Sequence, residues 1–477
     1  MRVRLADIGQ QVRVEGPVAR FGKSEVGAFA SRFVEMIAAD RADRLLIAIA
    51  ELGALTRASD GAFWINGFDG THQQGAEITI AKSQPFAVRL RRTAATGVPL
   101  YVSWESGVLV VSWRFEEAVR NLAAPLPDRE ACRIYVENGP ALTRGQVIKG
   151  VSMLWPGEAI ELADSTLRFF PASDMDVVMP SVLSTDARAT DALRDTIVAA
   201  MRPCLAVART PLVEVSGGLD SACVALAARQ CRDDIHSYGL IHAGAVGEQQ
   251  RARRDELIAL LGLRDLEFQS DLPPQFAALE IPEAQVTPFD DNHRMPCALA
   301  VDQHPDGPID LIMSGVGGDE LAMERTYRRQ EWELPGIASA SSLTVAAGRA
   351  DMFMRRGIWT LNPLTAAPVV DLCRALPVKM RNARMINVLM LARAGLSDGF
   401  LFPRYAEGYG HGMQREAALI DFDALLADSI VADHRAYDFS GLLDQARKAS
   451  NGGFSYELVM ALFWLMKLEK VLRCYIH

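Results

Sequence analysis

Residues Val213 to Leu226 read VEVSGGLDSACVAL. A short β-branched run, Pro211 to Val215, meets a run of Ala, Val and Leu without glycine or proline, and two glycines, two serines and an aspartate stand at the junction. Strand, tight turn, helix is the pattern that fits. It recurs in DLIMSGVGGDELAM, Asp310 to Met323, where an apolar strand meets Ser314, Gly315, Gly317, Gly318 and Asp319 ahead of a helix. Two such junctions on one parallel sheet open at the same carboxyl edge, where open α/β sheets bind ligands.

At the first turn, Gly217 and Gly218 let backbone N–H groups approach an anion closely, and Ser216 and Ser221 add hydroxyl donors. The helix beginning near Ser221 brings its positive end to the same place, so Ser216 to Ser221, with Leu219 between, form a phosphate cradle. Asp220 inside that cradle repels phosphate unless a cation lies between them, and Mg²⁺ with oxygen ligands is the expected one. The expected ligand is a nucleotide with its metal, and Asp220 and Asp319 are expected to share that metal. A glycine turn with an Asp or Ser helix cap would account for a Gly-Gly pair alone, but not for the whole string.

The rest of the chain has two textures. From about residue 60 to 170, short alternating runs are separated by turn residues: AFWINGFDG, EITIAKS, FAVRLRR, PLYVSWESGVLVVSW and GEAIELADSTLRFF. LYVSWESGVLVVSW reads as two strands around Glu105-Ser106-Gly107. From about residue 185, apolar residues recur at helical spacing in DALRDTIVAAMRPCLAV, ACVALAARQC, RARRDELIALLGL and ELVMALFWLMKLEKVL, broken by brief strands. The stretch Ser173 to Ala189 reads as a linker, and RARRDE at 251 to 256 as a solvated helix face. The fold class expected is α/β: a β-rich N-terminal sandwich domain, then a domain with a parallel sheet and a mostly helical end.

Composition narrows the partners. With 477 residues, 49% hydrophobic, the chain has material for two or three cores, and a formal net charge of −9 argues against nucleic acid as a partner. Seven cysteines, scattered and never spaced as Cys-x-x-Cys, indicate neither a disulfide framework nor a zinc site, so a reducing cytoplasm is the expected compartment. The opening MRVRLADIGQQVRVEG lacks a signal-peptide core, and the apolar run Leu458 to Met466 falls short of the roughly 18 residues of a membrane span, so a buried helix is expected there.

SGGLDS resembles the signature of the N-type ATP pyrophosphatases, the PP-loop enzymes that cleave ATP to AMP and pyrophosphate. SGVGGDE resembles the second signature of the asparagine synthetase branch. VRLRRTAATGVPLYVSWESGVLVVS is similar to part of that branch's glutaminase-like domain, and VIKGVSMLWPGEAIEL to the segment that closes it. The resemblance implies a glutaminase-like domain over residues 1–175 and an ATP-dependent synthetase domain over 185–477. It also implies ATP and Mg²⁺, with pyrophosphate held by Ser216, Gly217, Gly218, Leu219 and Ser221 together with Ser314, Gly315, Gly317 and Gly318. Asp220 and Asp319 would hold the metal. The strand end Leu240 to His242 would offer backbone groups to adenine, with His242 a lining residue.

Departures select within the branch. A glutamine-using member needs a cysteine directly after Met1, whereas residue 2 is Arg2 and the first cysteine is Cys132, so glutamine hydrolysis is not expected. What remains are relatives that use an amine of the substrate itself: β-lactam and carbapenam synthetases, and lasso-peptide cyclases, which the ending FSYELVMALFWLMKLEKVL resembles most. The implied activity is macrolactam formation in a leader-cleaved precursor peptide, with a leader peptidase and a leader-recognition protein as partners. A β-lactam synthetase-like ligase for a small molecule stays open, as does a catalytically degenerate scaffold. Two departures motivate the scaffold: Val316 stands where relatives often carry a polar residue, and no lysine occurs between Lys379 and Lys448, where relatives carry a catalytic one. LFPRYAEGYGHGMQ is the corresponding segment, expected to be a mobile loop, with Arg404 and His411 as cationic substitutes.

Overall fold

The hairpin in LYVSWESGVLVVSW forms at the expected place. Tyr101–Glu105 pairs with Val108–Ser112, and the turn falls on Ser106 and Gly107, whose φ values of 50° and 79° are the left-handed pair that a two-residue hairpin needs. The same device recurs at Asp164 and Ser165, between Ala159–Ala163 and Thr166–Phe170. A computed structural model describes the chain except for residues 9, 16, 30, 52–54, 58–62, 66–74, 83–85, 94–96, 141–142, 172–185, 270–275, 277–285, 290–293, 306, 319–339, 406–409, 450–452 and 477.

These hairpins belong to two antiparallel sheets. The seven-stranded sheet runs, edge to edge, Val151–Met153, Tyr101–Glu105, Val108–Ser112, Arg2–Arg4, Ser24–Gly27, Val18–Phe21 and Arg13–Glu15. The six-stranded sheet runs Thr166–Phe170, Ala159–Ala163, Ala87–Arg92, Gly75–Ala81, Arg44–Glu51 and Val34–Asp40. Val3, Phe21, Val26 and Leu109 of the first pack with Ile47, Ile78, Val88 and Leu90 of the second in one apolar layer, so the two form a sandwich. Six strands before residue 52 escaped the sequence reading: pieces as short as RVR and RVE carry too few residues to display a period, and the longer RLLIAIAE is near-continuously apolar rather than alternating.

The second part is built on a five-stranded sheet that is parallel throughout: β1 Pro211–Glu214, β2 His236–Ile241, β3 Arg264–Gln269, β4 Leu311–Met313 and β5 Trp359–Leu361. Its spatial order is 3-2-1-4-5. The connections include α1 Leu219–Cys231 after β1, α2 Gly244–Leu261 after β2, α3 Arg294–Asp302 before β4, and α4 Ala340–Arg355 before β5. Beyond them come α5 Met385–Ala394, α6 Asp398–Leu401, α7 Gly410–Ala417 and α8 Tyr456–Tyr475.

The β-rich part and the later helices share a core. Val459, Leu462 and Phe463 of α8 pack with Phe115, Val136 and Trp155, and Tyr135 meets Trp464 edge-on at 5.8 Å. The buried Glu116 carboxylate takes two hydrogen bonds from Arg355, at 3.0 and 2.8 Å, and Arg355 also binds Asp351. Trp359 Nε1 donates to Glu51 at 2.8 Å. The segment Val286 to Phe289 is fixed by three tyrosines: Tyr475 donates to Val286 O, Tyr135 to Pro288 O, and Tyr101 Oη lies 2.9 Å from Thr287 Oγ1.

Three expectations are corrected. RARRDE is not a solvated face: Arg253 and Arg254 are buried in α2, and only Arg251 of the three arginines reaches solvent, beside Glu267. The expected linker ends early, since the helix Asp186–Val207 already includes Ala189, which is fully buried; residues 172–185 lie outside the described residues. The loop expected over LFPRYAEGYGHGMQ ends by Gly410: residues 402–405 are irregular and 406–409 lie outside the described residues, but Gly410 and Gly412 stand within α7, where the following Met413-Gln414-Arg415-Glu416-Ala417 are good helix formers and Met413 is buried. The leucine-rich run 458 to 466 does lie within a buried helix, and no helix among the described residues is long and apolar enough to cross a membrane.

Candidate active site

In the order 3-2-1-4-5, β1 and β4 are neighbours and the strand order reverses between them. A crevice at such a switch point, outside the carboxyl ends, is where open α/β sheets take their ligands. Both glycine turns open there, since Ser216 follows β1 and Ser314 follows β4.

The first turn is held by its own hydroxyls. Ser216 Oγ lies 3.1 Å from Ser221 Oγ and accepts from Gly218 N at 3.2 Å, and Ser221 Oγ accepts from Ser216 N at 3.2 Å. Gly217 adopts φ +86°, the left-handed region that a side chain would strain. Gly218 caps α1 without a side chain, so the positive end of the helix faces the turn without a side-chain acceptor.

The second turn packs directly on the first. A Cβ at Gly315 would come 2.6 Å from Ser221 N, and one at Gly318 would overlap the Asp220 carboxyl. Gly317, at φ +98°, packs on Thr365. Ser314 Oγ donates to Asn362 at 2.7 Å, which ties this turn to the end of β5. Val316 is half-buried. Asp319 follows Gly318 directly but lies outside the described residues, as do Asp290, Asp291, Asn292 and His293.

Leu240 and His242, at the end of β2, are buried near the same edge. His242 N donates to Gln250 Oε1 at 2.9 Å, and Gln250 Nε2 donates to Ser216 O at 3.2 Å, so one fully buried amide joins the β2 end to the cradle. Below it, Arg254 donates to Val215 O and pairs with Asp265. Its guanidinium fills the space above Gly239, where a Cβ would overlap it. Burial pushes the Asp265 carboxyl upward, and the Arg254 charge opposes that shift.

Arg384 and Asn387 were missed by sequence reasoning. Arg384 Nη1 donates to Asp220 Oδ2 at 3.1 Å, and Asn387 Nδ2 donates to Asp220 Oδ1 at 2.6 Å. Arg384 is reached through two consecutive left-handed residues, Ala383 at φ 51° and Arg384 at φ 57°, each costing about 1–2 kcal/mol for a side chain with a Cβ. The signal in the sequence was faint: a basic cluster, Lys379, Arg381 and Arg384, ahead of the run 385 to 392, which is apolar except for Asn387.

The late segment is joined to the site from its other side. Gln249 Oε1 accepts from Arg404 N at 2.7 Å and from Tyr405 N at 2.9 Å, while its Nε2 donates to Tyr405 O. Arg253 donates to Phe400 O, and Glu256 accepts from Ser397 N and Oγ. The Arg404 side chain is exposed; His411 has its backbone on α7 and its side chain outside the described atoms. The structure thus gathers Ser216 to Ser221 and Ser314 to Gly318 at one point and leaves Arg404 at the rim.

Among the described residues no three His, Cys, Asp or Glu side chains cluster as a metal site. A metal carried by a nucleotide takes most of its ligands from phosphate and water, so one or two carboxylates suffice, and Asp220 beside a cleft that only glycines leave open fits that role. All seven cysteines are free; Cys132, the one cysteine of the first 175 residues, is fully buried, and burial pushes its thiol up to about 12.

Comparison with the curated proteins gives no significant match. Among solved structures, an NH3-dependent NAD synthetase from Campylobacter jejuni in complex with nitrate aligns at 13% identity and a TM-score of 0.27, over 56% of this chain and 93% of that one; at that level the likeness carries no argument. The family model for asparagine synthase matches residues 192–348, about a third of the chain. That span includes β1 to β4, both glycine turns and Asp220, and the segment 192–348 is therefore asparagine synthetase-like.

Proposed function

We propose that the chain is an ATP-dependent, AMP-forming ligase that closes a macrolactam ring in a leader-cleaved precursor peptide. The observation that carries the ligase reading is the meeting of two glycine turns at the switch point of a parallel sheet, inside the asparagine synthetase-like segment. The macrolactam reading rests on the sequence resemblance to lasso-peptide cyclases.

In the proposed reaction an Asp or Glu side-chain carboxylate of the peptide attacks the α-phosphorus of ATP. The bond from that phosphorus to the β-phosphate bridging oxygen breaks, and pyrophosphate leaves. The peptide's N-terminal amine then attacks the acyl carbon, loses a proton, and expels AMP as the ring closes. Mg²⁺, when bound, supplies positive charge against the phosphates, and Asp220 and Asp319 are the residues proposed to hold it. N–H groups at the start of α1, with Ser216 and Ser221, whose hydroxyls lie 3.1 Å apart, are proposed to hold the leaving pyrophosphate. Leu240 and His242 line the adenine end, and Arg404 and His411 are the proposed late-segment cations.

Residues 1–175 are proposed as a glutaminase-like domain without glutaminase chemistry: Cys132, the one cysteine there, is fully buried. The proposed partners are a leader peptidase and a leader-recognition protein. A scaffold without turnover is the second reading, favoured by the apolar Val316 in the cleft. Incubation with ATP, Mg²⁺ and a leader-cleaved peptide separates the two. The ligase reading requires AMP, pyrophosphate and a product lighter by one water; release of ADP and phosphate, or nucleotide binding without product for any peptide, defeats it.

A further inference from the structure

Asp220, the described carboxylate at the cradle, already has a cation beside it. Arg384 holds one of its oxygens at 3.1 Å and Asn387 holds the other at 2.6 Å. Both donors come from the start of α5, and together they occupy the carboxylate oxygens that face them. A divalent cation arriving at Asp220 must therefore compete with a guanidinium.

The backbone points the same way. Ala383 and Arg384 are both left-handed, a conformation that persists only where the surroundings hold it, and here it delivers a positive charge to the mouth of a phosphate cradle. The guanidinium fork suits phosphate as well as carboxylate. Its side chain keeps about a third of its exposure, so it is not locked in packing. No lysine occurs from residue 380 to residue 447, and Arg404 stands exposed at the rim with its backbone committed to Gln249.

We propose that Arg384 is an exchangeable counter-cation. Without nucleotide it neutralises Asp220. When a nucleoside triphosphate enters with its metal, the metal takes the carboxylate and the guanidinium passes to a phosphate oxygen. One ion pair is exchanged for another and no covalent bond changes. The proposal rests on the metal-nucleotide reading of the cradle.

Two effects of opposite sign follow from this exchange. Removing the guanidinium should strengthen binding of free divalent cation, because a competitor is gone, and weaken binding of the metal-nucleotide, because a phosphate contact is gone. A residue that only stiffens the site would weaken both.

The test uses the full chain with Mn²⁺ as probe, measured by electron paramagnetic resonance, alone and with an ATP analogue carrying a methylene between the α- and β-phosphates. Arg384→Gln should tighten free Mn²⁺ about threefold or more and loosen the Mn²⁺-nucleotide about tenfold, the scale of one charge-assisted hydrogen bond. Arg384→Lys, which keeps the charge without the fork, should retain the wild-type affinity for free Mn²⁺ while losing nucleotide affinity; it decides the matter if the Gln variant does not fold. Unchanged affinities in these variants, or shifts of the same sign for both ligands, overturn the proposal while wild-type binding leaves the cradle reading standing. A wild-type chain that binds no Mn²⁺-nucleotide overturns both.

Discussion

Gln249 pairs with Tyr405 as a strand residue pairs with its neighbour: its side-chain amide donates to Tyr405 O and accepts from Tyr405 N, both at 2.9 Å. The adjacent Gln250 reaches the other way, to Ser216 O and His242 N. Two consecutive glutamines of α2 thus link the late segment to the first glycine turn and the end of β2. Gln249→Ala is expected to leave ATP affinity within about twofold and to lower the rate of the proposed ring closure by roughly tenfold or more, because misplacing a segment proposed to act in catalysis costs turnover rather than binding. Parallel ATP-binding and product assays check this. Loss of ATP binding in that variant would show that the segment serves the nucleotide instead.

Asp220→Asn and Asp319→Asn are each expected to abolish pyrophosphate release with the fold intact, since each removes a charge proposed to anchor the metal. In Asp220→Asn the guanidinium of Arg384 also loses its ionic partner. Circular dichroism and a pyrophosphate assay suffice, and wild-type turnover by either variant contradicts the shared-metal model.

Gly239→Ala should destabilise the chain strongly for a single methyl. Its Cβ would overlap the Arg254 guanidinium, which is fully buried and already committed to Val215 O and Asp265. Overpacking in a filled core costs about 1–3 kcal/mol, and displacing a buried charge from its partner adds to that. A fall in the urea midpoint with unchanged slope is the expected signature.

The Glu116, Arg355 and Asp351 cluster predicts an order of damage. Glu116→Gln leaves Arg355 paired with Asp351, whereas Arg355→Met removes the cation that two buried carboxylates share. Breaking a buried pair costs about 3–5 kcal/mol, so both variants should lose stability, with Arg355→Met the worse. Thermal unfolding of the two variants settles the order, and the reverse order would mean that Asp351 is held by other donors.

The glycine strings made the parallel sheet and the meeting of its two turns at one edge legible, because a tight strand-to-helix turn tolerates few residues besides Gly and Ser. The hairpin at Ser106-Gly107 is legible in the same local way, whereas the turn at Asp164-Ser165 emerges only from the structure, within what reads as a single run. What local pattern cannot carry is partnership across the chain. Arg253 and Arg254 read as solvated because charge normally faces water, and acceptors brought from elsewhere in the chain, Phe400 O for one and Val215 O and Asp265 for the other, explain their burial. Arg384 is a similar case: nothing near residue 384 announces Asp220, 164 positions earlier. The late segment misled for another reason. Its glycines suggested a loop, but the buried Met413 and the helix-forming residues around it outweigh two glycines at the start of α7.

The contact between Tyr135 and Trp464 has a consequence for how the molecule assembles. A Cβ at Gly139 would come 2.8 Å from the same indole, so the helix Arg129–Asn138 and α8 meet without room for an intermediate layer. Pairings between residues so far apart in sequence must close a very long loop before any contact rewards it, and chains rich in them fold slowly. During synthesis the apolar flank formed by Val136, Phe115 and Trp155 has to wait for Leu462 and Phe463 to emerge from the ribosome. In that interval it is an exposed sticky surface, and the nascent chain is at its greatest need of a chaperone.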